Sequence, residues 1–278
     1  MGNVLDSCAK LPLDLIDLFD TPDNPGAGVN RDTTVAAIAL QERFGIPTIP
    51  HRATTHVNAI QMQAALLAAW DMGISGVLAV TGDVPQAGDH QGLASRVPDL
   101  KSSVALLRMI GSLNDGVLIN GKPLPEPCGF IAGCAFNPNG AQAPQISWLK
   151  KKAEAGAAFA FTQPVFDREG LARIAEAAEQ VPRVRVFAGI LPLAGAKQAR
   201  MLADGRIPGI RVPEGIIGAL ERHPDMADQK RAAADLAREL ALSAIQTVGA
   251  LYLIPPFAAD GMETAAAIIR AVRNPSGG

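Results

Sequence analysis

Short apolar runs alternate with longer segments of helical periodicity along most of this chain. The runs contain mainly Val, Ile, Leu, Phe and Ala and lack a clean apolar–polar alternation, which is typical of parallel strands covered by helices. They predict seven strands: Leu15–Phe19, Ile46–Pro50, Gly76–Val80, Gly129–Ala135, Ala158–Thr162, Arg185–Ile190 and Gly249–Ile254.

The segments between these runs predict helices. In the longest of them, Leu236, Leu240, Ala244 and Val248 recur every four residues and form one apolar stripe. The order of strand and then helix implies right-handed crossovers and a parallel sheet. The predicted helices are Thr33–Arg43, Ala59–Met72, Ser102–Leu113, Ile146–Ala155, Arg168–Gln180, Ala196–Ala203, Met226–Val248 and Met262–Val272.

Polar side chains cluster where several predicted strands end. They are Asp20, Thr21, His51, Asp83, Asn137, Asn139 and Gln163, with Tyr252 inside the last strand. In a (β/α)₈ barrel such ends meet at the face that carries the active site. No GxGxxG follows an early strand, which disfavours an open dinucleotide-binding sheet. We therefore predict one TIM-barrel domain over residues 1–278, although the pattern yields seven strands and not eight.

Composition and charge exclude several classes of function. Apolar residues make up 48% and charged residues 19% of the 278 residues, with a net charge of −2 and no basic stripe, which argues against nucleic acid as a partner. No signal peptide and no long apolar stretch is found, so no membrane segment is expected. Cys8, Cys128 and Cys134 include no CxxC pair, which favours buried thiols in a reducing compartment, the cytoplasm.

Asp83 in "GVLAVTGDVPQAGDHQG" comes directly after a strand that is apolar throughout. Its carboxylate either anchors a turn or helix cap, or belongs to a site above the sheet. The next predicted helix begins far along the chain, which weakens the cap interpretation. Gly82 would let the backbone approach a ligand closely. Asp89 and His90, later in the same loop, are loop residues without an assigned role.

Three other polar groups have competing interpretations. Gln163 ends "AFAFTQPVFD", and its amide needs hydrogen-bond partners, which favours ligand contact. His51 is either a hydrogen-bonded structural residue or part of a site. Three successive lysines (150–152) point in different directions, so at most one or two of them face a site.

Several chemistries have no support in the sequence. The spacing of His51, His56, His90 and His223 does not match that of zinc ligands, so no metal is expected. No G-x-S-x-G nucleophile elbow and no P-loop occurs.

Six segments, in order along the chain, resemble the methylenetetrahydrofolate reductase family. They are "VLAVTGDVPQAGDHQG", "AFNPN", "KKKAEAGAAFAFTQPVFD", "AGILPLAGAKQA", "IPGIRVPEGI" and "GALYLIPPF". The likeness is strongest to the shorter bacterial reductases and to reductase domains fused to homocysteine methyltransferases. It runs from about Leu15 to the end of the chain, and the TGD, KK-x-x-AGA-x-x-x-x-TQ-x-x-FD and GI-x-PL elements together are specific.

The resemblance implies a barrel that binds FAD at the carboxyl ends of its strands. NAD(P)H would reduce the flavin, which would pass hydride to 5,10-methylenetetrahydrofolate and yield 5-methyltetrahydrofolate, the methyl donor for methionine biosynthesis. Nicotinamide and folate would use one pocket in turn, with ping-pong kinetics. Because members of the family tend to assemble, we also expect a homo-oligomer.

The resemblance also assigns roles to individual residues. Asp83 would lie near the flavin and the pterin, where its charge stabilises the cationic iminium that accepts hydride. Gln163 would hydrogen-bond the substrate and reorient between nicotinamide and pterin. Leu202 matches a helix position that in some members carries an aromatic side chain stacked on the substrate. The residues implied at the cofactor are Thr21, His51, Thr81, Gly82 and Lys152.

One departure from the family concerns the beginning of the chain. The family's first strand carries a glutamate proposed as general acid, whereas this chain begins at what resembles the first helix, "VLDSCAKLPLD". Asp6 is a poor substitute for that glutamate. The start is then truncated, or the strand is supplied from elsewhere, or the protein is a non-catalytic or partner-dependent folate- or flavin-binding relative. A flavin-independent reductase is a further alternative.

Overall fold

The computed structural model describes residues 2–55, 57–84, 88, 99–205, 207–256 and 258–274. The strands are β1 (Phe19–Thr21), β2 (Thr48–Ala53), β3 (Gly76–Val80), β4 (Ile131–Phe136), β5 (Phe159–Thr162), β6 (Arg185–Ile190) and β7 (Leu251–Leu253). The helices are α1 (Gly2–Cys8), α2 (Thr33–Phe44), α3 (Ala59–Asp71), α4 (Ser103–Asn114), α5 (Gln142–Glu154), α6 (Arg168–Gln180), α7 (Ala196–Ala203), α8 (Glu214–Glu221), α9 (Met226–Thr247) and α10 (Gly261–Arg273).

The seven strands of the described residues form one sheet in the order β1-β2-β3-β4-β5-β6-β7. The pairs β1–β2, β2–β3, β3–β4 and β6–β7 run parallel. Parallel neighbours that follow one another in the chain require helical crossovers, as in TIM barrels. This confirms the predicted TIM-barrel-like α/β class.

The chain divides into two compact units. We call residues Asp17–Ala135 with Lys150–Phe159 the β1–β4 unit, and Met1–Ile16, Phe136–Leu149 and Ala160–Gly278 the β5–β7 unit. This division does not test the prediction of a single domain over residues 1–278, which stays a prediction.

The helices of the β1–β4 unit begin at residues whose side chains accept backbone N–H groups. Asp32 accepts from Thr34 and Val35 at the start of α2, Asn58 caps α3, and Ser102 caps α4. Such caps satisfy donors that have no partner inside the helix. The core of this unit is mainly aliphatic, and its large, almost fully buried side chains include Met62, Leu66, Leu106, Met109, Ile110 and Leu113.

The β5–β7 unit has its own core around α7, α8 and α9. The buried face of α9 runs along Ala233, Ala237, Leu240, Ala241 and Ala244, which overlaps the predicted apolar stripe at two positions. Small side chains on this face let the helix approach its neighbours closely. The residues buried in one cluster with it are Phe166, Leu191, Leu193, Ala196, Ala199, Leu202, Val212, Ile217 and Leu220.

Some predicted bounds match the structure and others do not. The bounds of β3, β6, α6 and α7 agree with prediction. The first strand was predicted over Leu15–Phe19 and is wrong in its bounds, because Leu13–Leu15 form a 3-10 turn and β1 begins at Phe19. Arg273 Nε donates to the Leu15 carbonyl at 3.0 Å, which draws this turn towards α10.

Two further differences concern the end of β2 and one additional helix. β2 extends to Ala53, so His51 lies inside a strand and not after it. Helix α8 was not predicted, because its sequence "EGIIGALE" carries two glycines, which weaken helix propensity.

Candidate active site

Two threonine hydroxyls hold the turn that follows β3 in place. Thr54 Oγ1 donates to the Thr81 carbonyl at 3.2 Å, and Thr55 Oγ1 donates to the same oxygen. Both threonines are almost fully buried. The Thr81 hydroxyl accepts from the Ser103 N–H at 3.4 Å, which links the turn to the start of α4. The backbone before Asp83 is therefore fixed by the protein itself.

Gly82 has a φ of +83°, and a Cβ there would lie 2.7 Å from Thr55 Oγ1. The left-handed conformation and the close approach both favour glycine. Thr55 is thus one reason for glycine at this position, and the predicted approach of Gly82 to a ligand stays a prediction.

Asp83 anchors a second loop through its carboxylate. Its Oδ2 accepts the N–H of Gly26 at 2.7 Å, inside a 3-10 turn over Pro25–Ala27. Asp83 therefore does anchor a turn, although that turn lies in another loop, and its predicted role at a ligand stays a prediction. Because such a charge-assisted hydrogen bond fixes the orientation of the carboxylate, it is compatible with a further role in a site.

His51 and Asp20 form a pair on neighbouring strands. His51 Nε2 lies 2.8 Å from Asp20 Oδ2, and the two side chains are 15% and 20% exposed. A carboxylate beside an imidazole nitrogen fixes the ring orientation. Sequence reasoning placed both residues at strand ends but did not pair them.

Thr21 serves the junction between β1 and α2. Its hydroxyl donates to the Thr33 carbonyl at 3.0 Å, and Thr33 Oγ1 donates to the Thr21 carbonyl at 2.7 Å. Thr21 is only 6% exposed. The structure therefore gives this side chain internal partners, and the predicted cofactor contact stays a prediction.

Lys152 is the lysine of its triplet that turns towards the sheet. Its Nζ donates to the Ala135 carbonyl of β4 at 2.7 Å, whereas Lys150 and Lys151 are exposed. Burial lowers the pKa of Lys152, against a smaller opposing effect of Cys134. Burial raises the pKa of Cys134 to about 11, and the nearby Lys152 cation opposes that rise. The three lysines therefore do point in different directions, and the prediction that one or two of them face a site stays a prediction.

Gln163, in the β5–β7 unit, has a fixed backbone, whereas its side-chain amide binds no other residue that the structure describes. Its N–H donates to the Phe136 carbonyl at 2.8 Å, and its carbonyl accepts from Thr162 Oγ1 at 2.9 Å. The same Thr162 oxygen accepts from the Gly189 N–H at 2.7 Å. Among the described residues, the Gln163 side chain has no hydrogen-bond partner.

Gly209 packs beside Gln163 in the same unit. A Cβ on Gly209 would lie 3.5 Å from Gln163 Cγ and 3.2 Å from Asn137 Nδ2. Asn139 Nδ2 donates to the carbonyls of Pro164 and Gly209, at 3.1 Å and 2.9 Å. Sequence reasoning found Asn137 and Asn139 but missed Gly209, for which the turn-forming "IPG" was the available signal.

Leu202 lies in the core of the β5–β7 unit. It is 0% exposed and packs in the cluster of α7, α8 and α9. The predicted substrate contact would require this buried side chain to become accessible.

Among the described residues, no group of three or more His, Cys, Asp or Glu side chains is arranged to hold a metal ion. None of the described helices has both the length and the apolar character needed to cross a membrane. His56, Asp89 and His90 lie outside the described residues.

The fold and these side chains define an α/β protein with a TIM-barrel-like parallel sheet and polar groups at the carboxyl ends of its strands. The sequence matches the family described as methylenetetrahydrofolate reductase over residues 13–255. The chain belongs to this family.

Curated relatives are similar over most of the chain. A 5,10-methylenetetrahydrofolate reductase of Pectobacterium carotovorum is 30% identical over 187 residues, which cover 66% of this chain and 56% of that protein. The Escherichia coli K12 protein of the same name is 26% identical over 205 residues, covering 72% and 62%. A probable methylenetetrahydrofolate reductase (NADPH) of Caenorhabditis elegans is 27% identical over 216 residues, covering 73% and 29%. The aligned part of this chain thus spans little more than half of the bacterial relatives' length.

A solved structure supports the fold. It is an uncharacterized protein from Clostridium thermocellum that binds two copies of 5-methyl-5,6,7,8-tetrahydrofolic acid. The TM-score is 0.62 at 12% identity, and the match covers 98% of this chain and 87% of that one.

Proposed function

We propose that this chain reduces 5,10-methylenetetrahydrofolate to 5-methyltetrahydrofolate, with NAD(P)H as reductant and FAD as hydride carrier in a ping-pong reaction. Membership of the reductase family supports the reaction type. The observation that carries the proposal is the Asp83 carboxylate, oriented at the end of β3 by the Gly26 amide.

The donor set of the β1–β4 unit suits a flavin nucleotide. Lys152 offers an ammonium group on a flexible stem, which can turn from the Ala135 carbonyl to a diphosphate. His51, oriented by Asp20, offers an imidazole, and the Thr81–Gly82 turn offers backbone groups for polar ring atoms. A bound flavin would supply the two-electron carrier that no side chain provides.

Asp83 supplies a fixed negative charge. When the bond between N10 and the methylene carbon of the folate breaks, N10 keeps the electron pair and takes a proton from water, and the methylene carbon remains on N5 as a cationic iminium that accepts hydride. A carboxylate oriented before the reaction stabilises that cation without reorganising. The Gly26 N–H and the threonine-held turn perform this orientation.

Gln163 supplies an adaptable hydrogen-bonding group. An amide offers donors and an acceptor without changing charge, so one side chain serves both nicotinamide and pterin. Its side chain is not tied to another described residue, which leaves it able to rotate between two ligands.

The buried thiols support a reducing location. Cys8, Cys128 and Cys134 are free and buried, as is common for proteins of reducing compartments such as the cytoplasm. We include a homo-oligomeric state in the proposal, to be tested by sedimentation of the purified protein.

The test compares two half-reactions in the wild type and in Asp83→Asn. The amide oxygen of Asn still accepts from Gly26 but carries no charge. We expect flavin absorbance in both proteins, NAD(P)H–menadione turnover within about tenfold of wild type, and a fall of about 10²–10³-fold in the folate half-reaction.

Two outcomes would overturn the proposal. One is a folded wild type with neither flavin absorbance nor NAD(P)H–menadione turnover. The other is wild-type folate turnover in Asp83→Asn. Thermal stabilisation by 5-methyltetrahydrofolate without any turnover would favour the non-catalytic, folate-binding alternative.

A further inference from the structure

We propose that the turn over residues 24–27 is a positioning device for Asp83, with the Gly26 amide as its contact group. The consequence for catalysis rests on the proposed function, but the positioning itself does not. The contact is the 2.7 Å hydrogen bond from the Gly26 N–H to Asp83 Oδ2.

The turn has an unusual backbone. Asn24, Gly26 and Ala27 have φ values of 45°, 67° and 54°. Among the non-glycine residues that the structure describes, Asn24 and Ala27 alone have a positive φ. Such conformations are rare for residues with a side chain and persist where their surroundings impose them, often at functional sites.

Contacts other than Asp83 hold the turn in place. The Asn24 side-chain oxygen accepts from the Asn30 N–H at 2.8 Å, and the Ala27 N–H donates to the Asn24 carbonyl at 3.0 Å. Asp23 Oδ2 accepts from the Ala53 N–H at 2.9 Å, which ties the loop to the end of β2. The position of the Gly26 N–H is therefore set by the turn itself, and this N–H in turn orients the Asp83 carboxylate.

The backbone of Asp83 is held separately. The hydroxyls of Thr54 and Thr55 fix the Thr81 carbonyl two residues before it. The carboxylate is thus constrained at its backbone and at Oδ2. Its other oxygen, Oδ1, has no hydrogen-bond partner among the described residues, which suits it to face a ligand.

Asn24 is the residue at which this device can be tested. Asn24→Ala removes the acceptor for the Asn30 N–H and places alanine in a conformation that asparagine tolerates better. Asn24→Asp keeps the acceptor and the tolerance, but it replaces the Nδ2 group that donates to Asp23 Oδ1 at 3.1 Å with a second carboxylate. We expect about tenfold lower folate-dependent kcat in Asn24→Ala, NAD(P)H–menadione turnover within about twofold, and a smaller loss of folate-dependent kcat, of about threefold, in Asn24→Asp.

A double-mutant cycle separates positioning from general damage. If the turn acts through Asp83, Asn24→Ala changes folate turnover by less than about twofold once Asp83→Asn is present. An equal loss in both backgrounds would overturn the proposal. Should Asn24→Ala fail to fold, Asn24→Gly removes the same side chain without backbone strain and replaces it in the cycle.

A spectroscopic readout tests the contact without enzyme activity. In ¹⁵N–¹H spectra the Gly26 amide proton, bonded to a carboxylate, is expected downfield, and both Asp83→Ala and Asn24→Ala move it upfield. An unchanged Gly26 resonance in Asp83→Ala would overturn the proposal. A wild type without turnover but with this shift would overturn the proposed function alone.

Discussion

Asp83 and Gln163 both follow a strand, but the hydrogen bonds made by their side chains differ. The Asp83 carboxylate is held by the Gly26 amide and lies on a turn fixed by Thr54 and Thr55. The Gln163 amide is tied to no other described residue, although its backbone is fixed by Phe136 and Thr162. A charge that stabilises one transition state benefits from being fixed, whereas a side chain that serves two ligands has to rotate.

The largest expected change in the free energy of unfolding is at Gly82, in the tight turn beside Asp83. Gly82→Ala adds a Cβ 2.7 Å from Thr55 Oγ1 at a φ of +83°. We expect it to lower the free energy of unfolding by about 2–4 kcal/mol, because overpacking adds to backbone strain. Urea unfolding with circular dichroism measures this.

Gly45→Ala is the matched control for Gly82→Ala. Gly45 has a φ of +69°, and its Cβ would meet nothing within 4 Å. We expect a loss of about 1–2 kcal/mol from strain alone. If both variants lost the same free energy of unfolding, Thr55 would not confine the turn beside Asp83. The difference between a fixed Asp83 and a rotating Gln163 would then be smaller.

The packing near α7 predicts the next effect. Leu202→Phe introduces the aromatic side chain that the family resemblance predicts for some members, at a position that is 0% exposed. We expect overpacking to lower the free energy of unfolding by about 1–3 kcal/mol, whereas Leu202→Met, which conserves volume, costs less. Folate affinity measured by calorimetry should change less than about twofold. A clear gain in affinity would show that this position reaches the ligand.

Alkaline pH tests the buried groups of the β1–β4 unit, because the pKa values of Cys134 and Lys152 are both shifted. The pKa of Cys134 rises from 9.0 to about 11 on folding. The native state therefore binds more protons between these values, and stability that is complete below pH 9 is lost as pH rises to about 11. We expect a loss of up to about 2 kcal/mol.

Two variants test this pH dependence in opposite directions. Cys134→Ala should flatten the alkaline loss. The lowered pKa of Lys152 makes the unfolded state bind more protons just below 10.5, which raises stability with pH, so Lys152→Met should steepen the loss. Urea unfolding at pH 8 and pH 11 measures both, and parallel curves for all three proteins would contradict the assignment.

The smallest expected effect is the stability change in Gln163→Ala. Because its amide has no partner among the described residues, we expect the free energy of unfolding to change by less than about 0.5 kcal/mol. Asp83→Ala should lose about 1.5–3 kcal/mol with its charge-assisted hydrogen bond. Similar losses in the two variants would remove the difference between a fixed carboxylate and a free amide.

The apolar pattern sufficed for most of the fold. Strands such as Gly76–Val80 and Arg185–Ile190 are buried runs between turn residues, so period and length give their bounds. The run Leu15–Phe19 is wrong as a strand, because its first residue ends a 3-10 turn that has no buried side chain. An apolar composition alone does not distinguish a strand from such a segment.

The sequence predicts residues of the candidate site only where the functional group belongs to a side chain and not to the backbone. Asp83 and Gln163 are visible as polar residues that end apolar runs. The Gly26 donor is a backbone group with no side-chain signature, and its partner lies 57 positions away along the chain. The burial of Leu202 likewise depends on helices α8 and α9, which lie later in the sequence.

The strand order has a consequence for synthesis on the ribosome. Because every strand pairs with the one made before it, the sheet can grow in the direction of translation, one strand and helix at a time. The segment before β1 cannot follow this schedule. Lys10 hydrogen-bonds Glu263 and the Leu15 carbonyl accepts from Arg273, partners that emerge 253 and 258 residues later, so these two contacts form only after β7 has been made.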